Sequence, residues 1–237
     1  MTTNTPGYNR FRIQLKDLIT KQSLFASGAA GAGQVFVAFA GTPQKETLTD
    51  RFGNSLSNPL ALTRGFIDFC VNIAHLTVDL YIQSPTGHFL VLKGVSPSGL
   101  NEYEIDTSNK SQMMVIPFNI GDTTAATETN TGFLKPTNSM VLDRLHGLGI
   151  NVTTAETAGA KTMTAGLLSS QTGGNASGYI NGSSTATLGL VIGTNGSLFS
   201  SNAPDTSSAE VANTISYTLV SSSVAAQGFI EIPYVLY

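Results

Sequence analysis

The chain has 237 residues, of which 41% are hydrophobic and only 11% are charged, and its net charge is −3. A chain this rich in apolar residues and this low in net charge is expected to fold, because disordered chains have the opposite composition. The near-neutral balance argues against a nucleic-acid partner, since no surplus of Lys and Arg is present to neutralise phosphates.

Residues 1–33 are predicted to form an extended N-terminal arm. Phe11, Ile13 and Leu15 alternate with polar residues as in a β-strand. Leu15, Leu18 and Ile19, in contrast, repeat like one turn of helix. The arm also carries a short basic cluster, which favours a segment that is solvated or faces a partner. The predicted interaction residues are Arg10, Phe11, Arg12, Leu24 and Phe25.

Residues 34–100 are predicted to form a small antiparallel β-sandwich that anchors the protein. Few charges and abundant Thr, Ser, Gly and Val favour β structure with turn-rich connections. The stretch DRFGNSLSNPL, residues 50–60, gathers turn-forming residues between two strand-like runs. Further on, VDLYIQ and FLVLKGV flank the turn SPTGH and predict a β-hairpin.

Residues 101–112 lie in a Ser-, Gly- and Pro-containing stretch with an acidic centre and are predicted to be a short linker. Residues 113–237 are predicted to form a second antiparallel, jelly-roll-like β-sandwich of about six to eight strands. Its first and last strands, MMVIPFNI and FIEIPYVLY, share an Ile-Pro-aromatic pattern, and we expect them to lie side by side. Asn181-Gly182 predicts a hairpin turn, because both residue types tolerate positive φ.

The residues that carry chemistry in enzymes are few and scattered. The three histidines share no spacing typical of a zinc site, and no serine stands in a G-x-S-x-G turn. Gly28–Gly33 lacks the Lys and Ser/Thr of a phosphate loop, and a strand follows where a helix should begin. Glu102 and Glu104 fall in the predicted linker, where solvation is expected. We therefore predict no enzymatic activity, no cofactor and no metal site.

Cys70 is the single cysteine, so neither an internal disulfide nor a thiolate metal cluster can form within one chain. It lies in the apolar run GFIDFCVNIAHL and is expected to be a small buried hydrophobic residue. No apolar run approaches the roughly 18 residues of a membrane span, and no signal-like segment follows Met1. We therefore expect a soluble protein, made in the cytoplasm and without a membrane partner.

Two parts of the chain resemble proteins of tailed bacteriophages. The run LTDRFGNSLSNPLALTRGFIDFCV, followed by VDLYIQSPTGHFLVL, resembles a module near the N-termini of phage tail fibres and tail spikes. The positions that match this module are Asp50, Gly53, Asn58, Pro59, Leu60, Gly65 and Phe69. The second block resembles β-sandwich proteins that decorate phage capsids or form head fibres, through the phrases ETNTGFLKPTN, TAGLLSSQTGG and AAQGFIEIPY.

These resemblances imply a structural component of a phage virion, foremost a capsid decoration or cement protein on the head surface. Its partners would be the major capsid protein or other virion subunits. It would form a homotrimer and be located in the virion, assembled in the host cytoplasm. One alternative is a tail fibre or fibre-adaptor protein. A second is a carbohydrate-binding β-sandwich, for which Tyr179 and Phe199 are the candidate sugar-stacking aromatics, although the chain lacks Trp.

Overall fold

The protein is all-β and divides into two compact units, Met1–Asn109 and Lys110–Tyr237. The computed structural model describes residues 7–23, 33–84, 87–97, 99–109, 111–119, 127–135, 141–142, 148–156, 162–194, 196–200, 213–220 and 226–236. The division between the units falls within residues 101–112, the stretch predicted to be a linker.

Unit 1 is built from two sheets. Its described strands are β1 (Tyr8–Asp17), β2 (Gln34–Phe39), β3 (Leu48–Thr49), β4 (Ser55–Leu56), β5 (Leu60–Ala61), β6 (Phe66–Asn72), β7 (Val78–Gln83), β8 (Phe89–Val95) and β9 (Leu100–Ile105). The sheet orders are β4-β3-β6-β1-β9 and β5-β2-β7-β8. The neighbours β1 and β9 are parallel, whereas the other pairs are antiparallel. This parallel pair departs from the predicted antiparallel arrangement, because the chain enters β9 from β8 in the other sheet.

The predicted N-terminal arm is wrong for residues 8–17, which form a strand inside a sheet. β1 lies between β6, its antiparallel neighbour, and β9, its parallel neighbour. Phe11, Ile13 and Leu15 are fully buried, because the alternation seen in the sequence places them on the core side of this sheet. Residues 18–20 form a turn and not a turn of helix. The linker prediction is also wrong for residues 101–105, which belong to β9.

Side chains from both sheets of unit 1 form one hydrophobic cluster. The first sheet contributes the three buried residues of β1 together with alternate residues of β6, and the second contributes alternate residues of β2 and β7. Within the cluster the rings of Phe11 and Phe69 are stacked, with centroids 5.2 Å apart. The predicted hairpin of β7 and β8 is confirmed, with a register from Val78↔Val95 to Gln83↔Phe89.

The stretch 50–60 forms turns, as its residues predict. The carboxylate of Asp50 accepts hydrogen bonds from the backbone amides of Phe52 at 2.8 Å and Asn54 at 2.9 Å. The buried Asn58 side chain donates to the carbonyls of Val37 at 2.7 Å and Glu46 at 2.9 Å. It also accepts from the amide of Val37 at 3.0 Å. Asn58 therefore substitutes for backbone partners and holds this loop against β2.

Unit 2 also contains two sheets. Its described elements are β10 (Ser111–Asn119), β11 (Thr129–Leu134), β12 (Val141–Leu142), β13 (Gly149–Thr154), β14 (Thr162–Leu167), β15 (Asn175–Ser184), β16 (Gly189–Ile192), α1 (Ser197–Ser200), β17 (Thr214–Val220) and β18 (Gln227–Val235). One sheet has the order β10-β18-β13-β16, with β12 also paired to β18, and the other has the order β11-β17-β14-β15. All of these pairs are antiparallel.

The expectation that the first and last strands of the second block lie side by side is confirmed. β10 and β18 pair along their whole length, from Ser111↔Val235 to Asn119↔Gln227. Pro117 lies on β10, which is at an edge of its sheet. Pro233 lies on the inner strand β18, between the residues that pair with β13 and those that pair with β12. Neither proline therefore lacks an amide hydrogen that a neighbouring strand requires.

The predicted hairpin turn at Asn181-Gly182 is wrong. Both residues lie within β15, where Gly182 has φ +95°. The pairing of β14 with β15 shifts register there, since Met163 pairs with Ser183 and Thr164 pairs with Asn181. Gly182 is thus the extra residue of a β-bulge, a position that favours positive φ as strongly as a turn does.

Candidate functional site

Asp79 on β7 is a buried carboxylate surrounded by structural donors. Its Oδ2 accepts from the Gly41 amide at 2.9 Å and from the Lys93 ammonium at 3.0 Å, and its Oδ1 accepts from the Gly94 amide at 2.8 Å. Lys93 also contacts the hydroxyl of Tyr81, whose pKa is raised chiefly by burial. This cluster holds β7 to β8 and to the turn at Gly41, and its carboxylate is engaged by fold-stabilising partners.

Glu46 and His75 form an acid–imidazole pair in unit 1. Nδ1 of His75 lies 3.0 Å from Oε1 of Glu46, and the ring stands edge-on to Phe39 with centroids 4.5 Å apart. Burial raises the pKa of Glu46, and the attraction of His75 opposes that shift. In the described part of the chain no hydroxyl or thiol hydrogen-bonds to the His75 ring. The pair therefore has no nucleophile of the kind that a catalytic triad requires.

Asp17, at the end of β1, is nearly buried and accepts hydrogen bonds from three directions. Its Oδ1 accepts from the backbone amides of Ile19 at 3.0 Å and Thr20 at 2.6 Å, and its Oδ2 accepts from the hydroxyl of Thr107. These bonds, that of Thr107 most of all, lower the pKa of Asp17 to about 2. The carboxylate closes the turn after β1 and ties it to the residues that follow β9.

Asp17 is expected to make unit 1 sensitive to acid. The pKa of Asp17 is about 2 in the folded protein, below its ordinary value of 3.8. The carboxylate therefore contributes stability above the pKa of the unfolded chain and loses it as the pH falls through the folded pKa. We expect the urea midpoint of the native protein to fall between about pH 4 and pH 2. That fall should be smaller in Asp17→Asn, measured by circular dichroism at each pH.

Thr107→Val provides the second variant for this prediction. It removes the donor with the largest effect on the pKa of Asp17, so the folded pKa moves back toward its ordinary value, and the acid-induced loss of stability should be smaller than in the native protein and complete at a higher pH. Acid profiles that coincide for the native protein, Asp17→Asn and Thr107→Val would contradict the assigned role of this carboxylate.

No described region gathers a metal site. Among the residues that the structure describes, no three His, Cys, Asp or Glu side chains come close enough to hold a metal ion. Cys70 is buried, and its thiol pKa is raised mainly by burial, which disfavours the reactive thiolate. His146 lies outside the described residues. The described residues also include no helix that is long and apolar enough to cross a bilayer.

Three of the five predicted interaction residues lie in the described part of the chain, all on β1. Phe11 is fully buried in the core of unit 1. Arg10 donates from Nε to Asp68 at 2.8 Å and makes a second bond to the same carboxylate. The guanidinium carbon of Arg12 lies 5.9 Å from the centroid of the Phe66 ring. Leu24 and Phe25 lie outside the described residues.

Of the two candidate sugar-stacking aromatics, the structure describes the side chain of Tyr179. Tyr179 lies on β15 and is only 1% exposed, so its ring cannot stack on a sugar from solvent. The side chain of Phe199, in α1, lies outside the described part of the chain. The carboxylates of Asp17 and Asp79 thus make contacts that hold neighbouring segments of unit 1 together.

A stripe of apolar side chains is exposed along β16 in unit 2. Leu188, Leu190 and Ile192 are 64%, 59% and 58% exposed, although aliphatic side chains of this size are usually buried. Leu190 and Ile192 alternate along β16 and therefore lie on one face of the sheet, and Leu188 lies just before the strand. A Cβ atom added to Gly149 on β13 would lie 2.9 Å from Cδ1 of Leu190 and 3.5 Å from Cδ1 of Ile192. Glycine at position 149 thus lets both side chains lie close over β13.

The stripe follows an edge of its sheet. β16 pairs with β13 on one side, and no described strand pairs with Leu190 or Ile192 on the other. The Gly193 amide donates to the Leu148 carbonyl on β13 at 3.0 Å. Since peptide groups alternate between the two sides of a strand, those of Leu190 and Ile192 point away from β13. We call the apolar stripe and these outward peptide groups, from Leu188 to Ile192, the β16 edge.

The segment that forms the β16 edge lies in a long stretch of sequence without charge, and Glu231 lies two strands away in the same sheet. Residues 162–204 include no Asp, Glu, Lys, Arg or His. Natural proteins usually protect an exposed strand edge with Lys, Pro or a bulge that prevents pairing. Neither Lys nor Pro occurs between Leu188 and Ile192. The β16 edge therefore has a surface chemistry suited to bind another protein.

Comparison with known proteins identifies no relative of this chain. No protein-family model, no curated protein and no solved structure matches it.

Proposed function

We propose that the chain is a structural component of a bacteriophage virion, an accessory protein that decorates or stabilises the capsid surface through contacts between subunits. In this proposal each unit is a β-sandwich, the second one jelly-roll-like, and the protein forms a homo-oligomer, expected from the resemblance to be a trimer. Its partners are the major capsid protein or other virion subunits, and its location is the virion.

The observation that carries the proposal is the β16 edge. An exposed strand edge with two large apolar side chains on one face, and a third just before the strand, is costly in a monomer and useful in an assembly, where neighbouring subunits cover it. The resemblance of sequence phrases in both units to phage proteins favours a virion as this assembly. Many copies on a symmetric shell would gain from multivalency, so each individual contact can be weak.

Antibody labelling of purified phage particles tests the proposal. Particles that carry the gene should show label on the head in electron micrographs, and particles of a deletion mutant should show none. Label confined to the tail would support the alternative of a tail fibre or fibre adaptor, which the resemblance of residues 48–92 to tail-fibre modules favours. Complete absence of label from the particles would overturn both assignments.

A further inference from the structure

We infer that the β16 edge pairs with the β16 edge of a second copy of this chain, antiparallel and about a twofold axis at Val191. This inference rests on the proposed function, because it names the partner of the same surface. The outward peptide groups of Leu190 and Ile192 supply the donors and acceptors that an added strand requires.

The backbone limits the register of this pairing. At one end, Gly189 has φ +91°, so regular extended backbone begins at Leu190. At the other end, Thr194 donates to the Gly182 carbonyl at 3.2 Å and accepts from the Asn181 amide at 2.7 Å. The outward peptide groups of Thr194 are therefore already hydrogen-bonded to β15. Only Leu190 to Ile192 remain available. Antiparallel pairing about a twofold axis at Val191 uses this whole segment in both copies.

In this register Leu190 of each copy lies opposite Ile192 of the other. Both residues have outward peptide groups, so each Leu190–Ile192 pair exchanges two hydrogen bonds. Their side chains lie on the same face of the extended sheet and meet directly across the junction. Leu188 of each copy flanks this group. The exposed stripe of one chain is thereby covered by the identical stripe of the other.

The absence of charge favours a second copy as the partner. In a twofold contact the same patch of both chains meets, so each charge on the patch would face a like charge on the other chain. Residues 162–204 contain no charged residue that would cause such repulsion. A charged partner, in turn, would find no opposite charge here. The neutral, apolar β16 edge is complementary to itself.

Sedimentation of the full chain with Leu190→Lys tests the pairing. The native protein should have a mass that is an even multiple of the monomer, as two paired trimers would have, and Leu190→Lys should halve it. We expect the dissociation constant to rise at least about tenfold, because two buried leucines are lost and two like charges approach each other. Circular dichroism should be unchanged, since position 190 is exposed. The control is Ile73→Lys, which changes an exposed residue of unit 1 and should leave the mass unaltered.

A cross-link tests the register. Directly opposite residues at a non-hydrogen-bonded position have Cα atoms about 4.5 Å apart, within the range of a disulfide. Val191→Cys should therefore give a covalent dimer with a mild oxidant, which a reductant reverses, whereas the native chain, with its buried Cys70, should not. A monomeric native protein, or a mass that Leu190→Lys does not change, would overturn the inference. A dimeric Val191→Cys that fails to cross-link would overturn the register.

The two proposals can fail separately. A native protein that is monomeric, or whose mass is insensitive to Leu190→Lys, and that still labels phage heads would overturn the self-pairing and leave the proposed function in place. An even-numbered oligomer that Leu190→Lys halves, but that labels no particle, would overturn the proposed function and leave the pairing in place.

Discussion

Phe11→Ala is expected to lower the free energy of unfolding of unit 1 by about 3–5 kcal/mol, the usual cost of removing a buried aromatic ring. Phe11 is fully buried on β1, and its ring is stacked on Phe69 with an angle of 4° between the planes. The substitution removes apolar burial, leaves a cavity and breaks the aromatic pair. Cys70, buried on the neighbouring strand β6, makes the measurement specific to unit 1. Its labelling by a thiol reagent across a urea gradient should report the shift.

Leu100→Ala is the control for this prediction. Leu100 lies on β9 of the same sheet but is 47% exposed, so its truncation should change the unfolding free energy by less than about 1 kcal/mol. Equal effects of the two substitutions would contradict the core position of Phe11. A Phe11→Ala protein of normal stability that no longer bound its partners would restore the original hypothesis of an N-terminal arm.

Asp79→Ala is expected to lower the free energy of unfolding of unit 1 by about 2–3 kcal/mol, the range for hydrogen bonds to a charged group. The substitution leaves the amides of Gly41, in the turn after β2, and of Gly94, at the register shift of β8 against β7, without their acceptor. Thiol labelling of Cys70 in urea measures this change as well.

Two further variants separate the roles of the Asp79 carboxylate. Asp79→Asn keeps one acceptor oxygen and should cost less than Asp79→Ala. Lys93→Met removes the ion pair together with the contact to Tyr81 and leaves both backbone amides their acceptor. Because the Lys93 side chain is 53% exposed, this substitution should cost less than about 1 kcal/mol. A Lys93→Met protein as unstable as Asp79→Ala would show that the ion pair, and not the backbone amides, carries the stabilisation.

The strands themselves were easier to predict from the sequence than the pairing of each strand with its neighbours in the sheet. Alternation at Phe11, Ile13 and Leu15 indicated a strand, but its place between β6 and β9 depends on residues far along the chain. The adjacency of β10 and β18 was predictable because the two segments share the Ile-Pro-aromatic pattern. Asn181-Gly182 was misread because a bulge and a hairpin turn require the same positive φ.

The candidate site was only partly visible in the sequence. The run TATLGLVIG indicated a strand, but apolar residues at most of its positions gave no sign of which face is exposed. The position of β16 at a sheet edge follows from the pairing of distant segments, which local patterns do not encode. One signal was available and would have found the site, namely the absence of any charged residue from 162 to 204.

The inner strands of both units join segments that are far apart in sequence, and this has a consequence for folding. β1 pairs with β9, and β10 pairs with β18 across nearly the whole of unit 2. Such high contact order slows folding, because long loops must close before the contacts that stabilise them form. During synthesis on the ribosome, β10 cannot pair with β18 until residues 227–235 have emerged. Until then its apolar face lacks its partner, and nascent chains are exposed to aggregation.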